Sequence, residues 1–159
     1  MTRSEFEARL KSEAQTWSGV PFLHNGRARS QGVDCLGLIV LVLRGCGLEI
    51  RDGDGKVYQP DWYLHTPEER YMAGILDQGI PVEKADLFPG DVVFFRPGLL
   101  GGGTRMITHG GVYLGDSQFV HCITGRKVEI SDLRHKAWTI SYAGAVRPKA
   151  LLSELERVA

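Results

Sequence analysis

The chain has 159 residues, 43% of them hydrophobic and 24% charged, a size and balance suited to one ordinary globular domain with a real core. Lys+Arg and Asp+Glu both number 19, so the formal charge is zero. That balance argues against a nucleic-acid binder, which usually carries a basic excess, and offers no global attraction to an anionic wall or membrane.

Thr2-x-x-Glu5 reads as a capping box, and the charged, amphipathic segment after it predicts a helix to about Trp17. This segment lacks the apolar core of a secretory signal. The longest apolar run, residues 35–43, falls far short of the roughly 20 residues that span a bilayer. Synthesis in the cytoplasm without a signal peptide, and no membrane span, are therefore expected. Asp34 is a preferred N-cap residue, and Leu36, Ile39, Val40 and Leu43 follow at helical spacing. That helix is expected to stop at Gly45-Cys46-Gly47. Thr66-Pro67-Glu68-Glu69 marks a further helix start, with its end before Gly79. Pro89-Gly90 turns into a strand over 91–95, and residues 109–122 read as a β-hairpin around Gly115-Asp116-Ser117. Strands over 127–130 and 140–147 and a short helix over 151–158 complete the chain. A helical layer followed by antiparallel strands is the α+β pattern.

The chemistry begins at Cys35. A thiol on the first turn of a helix lies near the positive end of the macrodipole, which favours thiolate. Backbone N–H groups of that turn, the one of Cys35 included, can also hold an oxyanion. The competing reading is that Cys35 is one more small buried hydrophobe. Two histidines at opposite ends of the hairpin, His109 and His121, supply a base and an orienting group in the order that a cysteine nucleophile requires. Parity tests this arrangement. With a regular two-residue loop at Asp116-Ser117, His121 would face Val112 and the two rings would lie on opposite faces of the sheet. Both share a face only if the hairpin is irregular, and Gly115 or Gly110-Gly111 can supply a bulge.

Cys35 and Cys46 would lie roughly 16 Å apart along one helix, too far for a disulfide. Cys122 follows His121 on a strand and should point into the core. The absence of Cys-x-x-Cys or His-x₃-His spacing leads us to expect no metal site and no cofactor. The loop 98–105 lacks the lysine and following helix of a phosphate-binding loop and is read as a surface loop or a flap beside His109.

Four blocks, taken in order, resemble the NlpC/P60 cysteine peptidases. They are Gly32-Val33-Asp34-Cys35-Leu36-Gly37-Leu38, Pro89-Gly90-Asp91-Val92-Val93-Phe94-Phe95, His109-Gly110-Gly111-Val112-Tyr113-Leu114-Gly115 and Phe119-Val120-His121. The likeness covers roughly residues 17–147 and is closest to the compact single-domain members encoded in phages, prophages and gene transfer agents. Asp61-Trp62-Tyr63-Leu64-His65 and Glu68-Glu69-Arg70-Tyr71 are similar to that subgroup.

The resemblance implies a papain-like α+β fold, with N-terminal helices that include the cysteine-bearing one packed on a central antiparallel sheet. It also implies a single catalytic domain over 1–159. The implied activity is hydrolysis of amide bonds in peptidoglycan stem peptides, often between D-γ-glutamyl and a diamino acid. Cys35 would be nucleophile, His109 general base and then acid, and His121 the orienting residue, with Cys35 and His109 resting as a thiolate–imidazolium pair. Phe22 takes the place of a tyrosine that the family often has in the site wall, with His24 beside it. Arg27, Arg29 and Arg105 are candidates to grip substrate carboxylates. A phage tail, a lysis system or an injection apparatus would deliver the protein to the wall. An amidase or deamidase acting on another acyl substrate, and a non-catalytic tail or assembly protein that kept the fold, remain as alternatives.

Overall fold

The structure, a computed structural model, describes residues 1–52, 73–97 and 107–157. The Thr2 hydroxyl accepts from the Glu5 N–H and the Glu5 carboxylate accepts from the Thr2 N–H. This closed capping box starts helix α1 (Arg3–Trp17), which buries Phe6, Leu10, Ala14 and Trp17 along one stripe. Two short strands, β1 (Arg27–Ala28) and β2 (Gly32–Val33), pair antiparallel and lead into α2 (Cys35–Gly45). Helix α2 is buried on almost every side, with Leu36, Leu38, Ile39, Val40, Val42 and Leu43 all in the core. A helix apolar all round belongs in the middle of a fold, and α2 lies between α1 and the sheet, packing chiefly on one strand of it. It ends at Cys46, and Gly47 follows with φ +87°, a left-handed conformation suited to glycine.

After α3 (Ala73–Leu76) come β3 (Gly79–Val82), β4 (Val92–Phe95), β5 (His109–Gly115), β6 (Gln118–His121) and β7 (Glu129–Asp132). Then follow α4 (Lys136–Ser141), β8 (Tyr142–Pro148) and α5 (Lys149–Arg157). The six strands form one sheet in the order β3-β8-β4-β5-β6-β7, antiparallel throughout. The strand on which α2 chiefly packs is β5. Pro81 is tolerated because β3 is an edge strand. The sheet is covered on both faces, so Val92, Val93, Phe94 and Phe95 are all buried. Val92, Phe94, Val112, Val120 and Cys122 pack with α1 and α2. Val93, Phe95, Phe119, Leu133 and Ala145 form a second cluster with Trp138 and Tyr142. This is the expected α+β arrangement of helices on an antiparallel sheet. Among the described residues no helix is long and apolar enough to cross a membrane.

Three expectations shift. The strand expected over 140–147 begins at Tyr142, because Lys136–Ser141 closes a helical segment instead. There the His135 carbonyl accepts from the Trp138 and Thr139 N–H groups, and the Ser141 hydroxyl donates to the Ala137 carbonyl. The strand expected over 127–130 is Glu129–Asp132, in a register set by pairing with β6. Helix α5 starts at Lys149, directly after Pro148 closes β8. The helix start at Thr66 and the loop 98–105 lie outside the described residues.

One ion pair ties the sheet together. Asp91 is fully buried, and its two oxygens accept from Arg147 Nε and Nη2, each at 2.8 Å. The same carboxylate accepts from the Phe88 N–H, and Arg147 also donates to the Asp86 carbonyl. Removing Arg147 strands the charge of the fully buried Asp91 in a dry site. Arg147→Ala should cost about 3–5 kcal/mol of stability in urea unfolding, and a loss under about 1 kcal/mol, the size of an exposed pair, would contradict this reading.

Candidate active site

Cys35 is the first residue of α2 and is 7% exposed. Asp34 caps that helix, its carboxylate accepting from the Gly37 N–H at 2.7 Å and from the Asn25 N–H at 2.9 Å. A buried carboxylate next to the cysteine would work against a thiolate if left unpaired. Arg27 pairs with it, Nη1 lying 2.9 Å from Asp34 Oδ1, and its other nitrogens bind Asp52. Gly37 makes the room for this cation, since a Cβ there would lie 2.6 Å from Arg27 Nη1. Arg29, on the surface, is engaged within the chain as well, donating to Glu13 and Thr16 and lying over Trp17 at 4.2 Å. The structure thus engages two of the three arginines expected to grip substrate in contacts within the chain. Arg105 lies outside the described residues.

The hairpin carries the predicted irregularity. Asp116 and Ser117 have φ of 51° and 63°, the left-handed pair of a primed two-residue turn. Gly115 pairs with Gln118, but Tyr113 pairs with Phe119, so Leu114 is an extra residue on β5. Past this bulge the register places Gly111 opposite His121, and His109 two residues away shares that face. A Cβ on Gly111 would lie 2.5 Å from the Val120 carbonyl oxygen, so the two strands approach more closely than alanine permits. His109 Nε2 lies 2.8 Å from His121 Nδ1. His109 is 6% exposed and His121 is fully buried. The two imidazoles form a closed pair on β5 and β6, and α2 with Cys35 at its start packs on β5.

Sequence reasoning missed what surrounds the pair. Trp138 of α4 stands edge-on to His121 at 4.8 Å and lies tilted over His109 at 5.7 Å. Phe95 and Phe119 close the same face, with Phe119 4.5 Å from the His121 ring. Ser131 Oγ lies 2.7 Å from His121 Nε2. The only sequence signal for Ser131 and Trp138 is their distance downstream of the hairpin, which specifies no contact.

Burial sets the protonation. It pushes His109 down to about 4, and it pushes His121 down as well, with His109 and Arg126 adding to the effect. Burial therefore favours the neutral form of both rings near pH 7. Cys46 and Cys122 are fully buried and pushed up to about 11, chiefly by burial. Cys35, Cys46 and Cys122 form no disulfide with one another. Phe22 runs beside Val33, two residues before Cys35, and packs against the core, while His24 is half-buried on the same segment.

Residues 19–147 match the family model described as NlpC/P60 family. The chain belongs to the NlpC/P60 family. It is 30% identical over 140 residues to the probable endopeptidase NlpC of Escherichia coli K12, covering 88% of this chain and 77% of that protein. It is 32% identical over 137 residues to the murein DD-endopeptidase MepH of the same organism, covering 84% of this chain but 44% of MepH. A crystal structure of an NlpC/P60 family protein from Bacillus cereus superposes with a TM-score of 0.64 at 26% identity, over 89% of this chain and 40% of that one. The chain therefore spans less than half of the MepH and Bacillus cereus proteins.

A histidine whose folded value is depressed adds stability that is fully present above its unfolded value near 6.5 and is lost as pH falls toward 4. In a histidine-ring NMR titration, His109 should still be neutral at about pH 5.5, below the ordinary histidine value. A charged His109 ring at that pH would contradict the assignment.

Proposed function

We propose that this NlpC/P60 protein is a cysteine peptidase that hydrolyses amide bonds in peptidoglycan stem peptides, the D-γ-glutamyl–diamino acid bond first among them. The observation that carries the reading is the buried His109–His121 pair, on the hairpin against which the Asp34-capped helix of Cys35 packs. Its relatives named as endopeptidases support the substrate class.

The neutral His109 is the base. As the Cys35 sulfur attacks the carbonyl carbon, its proton passes to His109, and the new oxyanion is held by the Cys35 backbone N–H at the helix N-terminus. His109 then gives that proton to the leaving amine, and a thioester remains on Cys35. Water attacks the thioester with His109 again as base, releasing the carboxylic acid and restoring the thiol. His121 holds the His109 ring in line, and Phe22 and His24 form the wall beside the reacting carbon. The reaction closes on side chains and water. The likeness of residues 61–71 to phage-encoded members makes a tail or other delivery apparatus the partner class that we assign.

Mass spectrometry of purified peptidoglycan fragments should find new cleavage products with wild type. Cys35→Ala should lower their rate by a factor on the order of 10³ or more. The fragment masses name the bond. Equal cleavage by both proteins would remove Cys35 from the chemistry, and cleavage by neither would remove the substrate assignment. Iodoacetamide gives an independent check: Cys35 should label in the native protein, while Cys46 and Cys122 label only on unfolding.

A further inference from the structure

The line of hydrogen bonds does not stop at the histidines. His121 pairs with Glu129 across the strands and Phe119 pairs with Ser131, so these four side chains share one face. Ser131 Oγ lies 2.7 Å from His121 Nε2, and Glu129 Oε1 lies 3.9 Å from the same nitrogen. Arg126 Nη2 sits 3.8 Å from the other Glu129 oxygen. Behind them opens a cavity of about 390 Å³ lined by Arg126, Glu129, Ser131, Asp132, His135 and Trp138.

We propose, resting on the cysteine-peptidase reading, that Ser131 and Glu129 are positioning residues that select the histidine tautomers with which His109 acts as a base. Each neutral imidazole carries one N–H, so the chain His109–His121–Ser131 has two self-consistent arrangements. In one, His121 Nε2–H donates to Ser131 Oγ, His121 Nδ1 accepts from His109 Nε2–H, and the lone pair of His109 lies on Nδ1. In the other, the Ser131 hydroxyl donates to His121 Nε2, His121 Nδ1–H donates to His109, and Nδ1 of His109 already bears a proton. Only the first leaves on His109 a nitrogen, outside the chain of bonds, that can take the Cys35 proton.

The hydroxyl of Ser131 can serve either arrangement, but it is the close acceptor that the first one needs, since without it a buried His121 Nε2–H has no hydrogen-bond partner. Glu129 breaks the tie. Its carboxylate favours the N–H end of the His121 ring at Nε2, where the first arrangement puts it. Arg126 is the opposing charge on this side, and it is turned to the far oxygen of Glu129. On the other side His109 is neutral, and Trp138 brings only a ring edge. Sequence spacing did not point to either residue, because both enter through the β6–β7 register.

Nitrogen-15 NMR of the histidine rings at pH 7 reads the tautomers without reference to activity. Wild type should show His109 protonated at Nε2 and His121 at Nε2. Glu129→Gln and Ser131→Ala should each shift His109 toward the Nδ1–H form, and Ser131→Thr should restore it. On peptidoglycan fragments Ser131→Ala should lower kcat about ten-fold, the worth of one hydrogen bond, with KM unchanged. Ser131→Thr should recover that loss. A wild-type His109 protonated at Nδ1, or variants whose tautomers match wild type, would overturn the proposal. If the tautomers behave as stated but Cys35→Ala cleaves like wild type, the peptidase reading fails and the tautomer selection stands.

Discussion

One extra residue in a hairpin controls this site. Side chains alternate along a strand, so His109 and His121 would look to opposite faces across a regular two-residue turn. Leu114 breaks the alternation, and the two rings meet at 2.8 Å on one face. Everything downstream in the chemistry uses that face. Phe95, Phe119 and Trp138 dry it, burial holds both rings neutral, and the β6–β7 register brings Ser131 and Glu129 to the far end. Gly111, with no room for a Cβ, lets β5 and β6 draw close enough for the contact.

The nucleophile has its own support, built from charges rather than aromatic rings. The residue that caps the cysteine helix is an aspartate, and a bare negative charge there would oppose a developing thiolate. Arg27, lodged against Gly37 and anchored by Asp52, offsets it. This gives an arginine a structural task where a substrate contact was expected. A neutral base and a cysteine at a helix N-terminus also fit together mechanistically. The proton moves during attack, so the dry site does not have to stabilise a separated ion pair at rest.

Much of the fold was legible because its signals are local. The Thr2–Glu5 box, the Asp34 cap, the Gly47 stop and the Gly115-Asp116-Ser117 turn are each decided within a few residues, and their helices and hairpin lie where expected. The need for a bulge followed from counting residues between two histidines. The rest depends on contacts distant in sequence. Lys136–Ser141 turns helical and places Trp138 over the histidines, which a run of mixed polar and β-branched residues did not reveal. The Asp91–Arg147 pair joins positions far apart in the chain, and Ser131 meets His121 only through strand pairing. The burial of His109 is of the same kind, since Phe95, His121 and Trp138 reach its ring from separate elements.

The central intermediate is a thioester at Cys35. Rapid acid quench of the protein mixed with a peptidoglycan stem peptide, followed by peptide mapping, tests it most directly. A transient acyl adduct is expected on the peptide that carries Cys35, lost on brief treatment with hydroxylamine and absent from the peptides of Cys46 and Cys122. Product formation with no adduct on Cys35 at any quench time, while a Cys35→Ala protein turns over at the same rate, would contradict it.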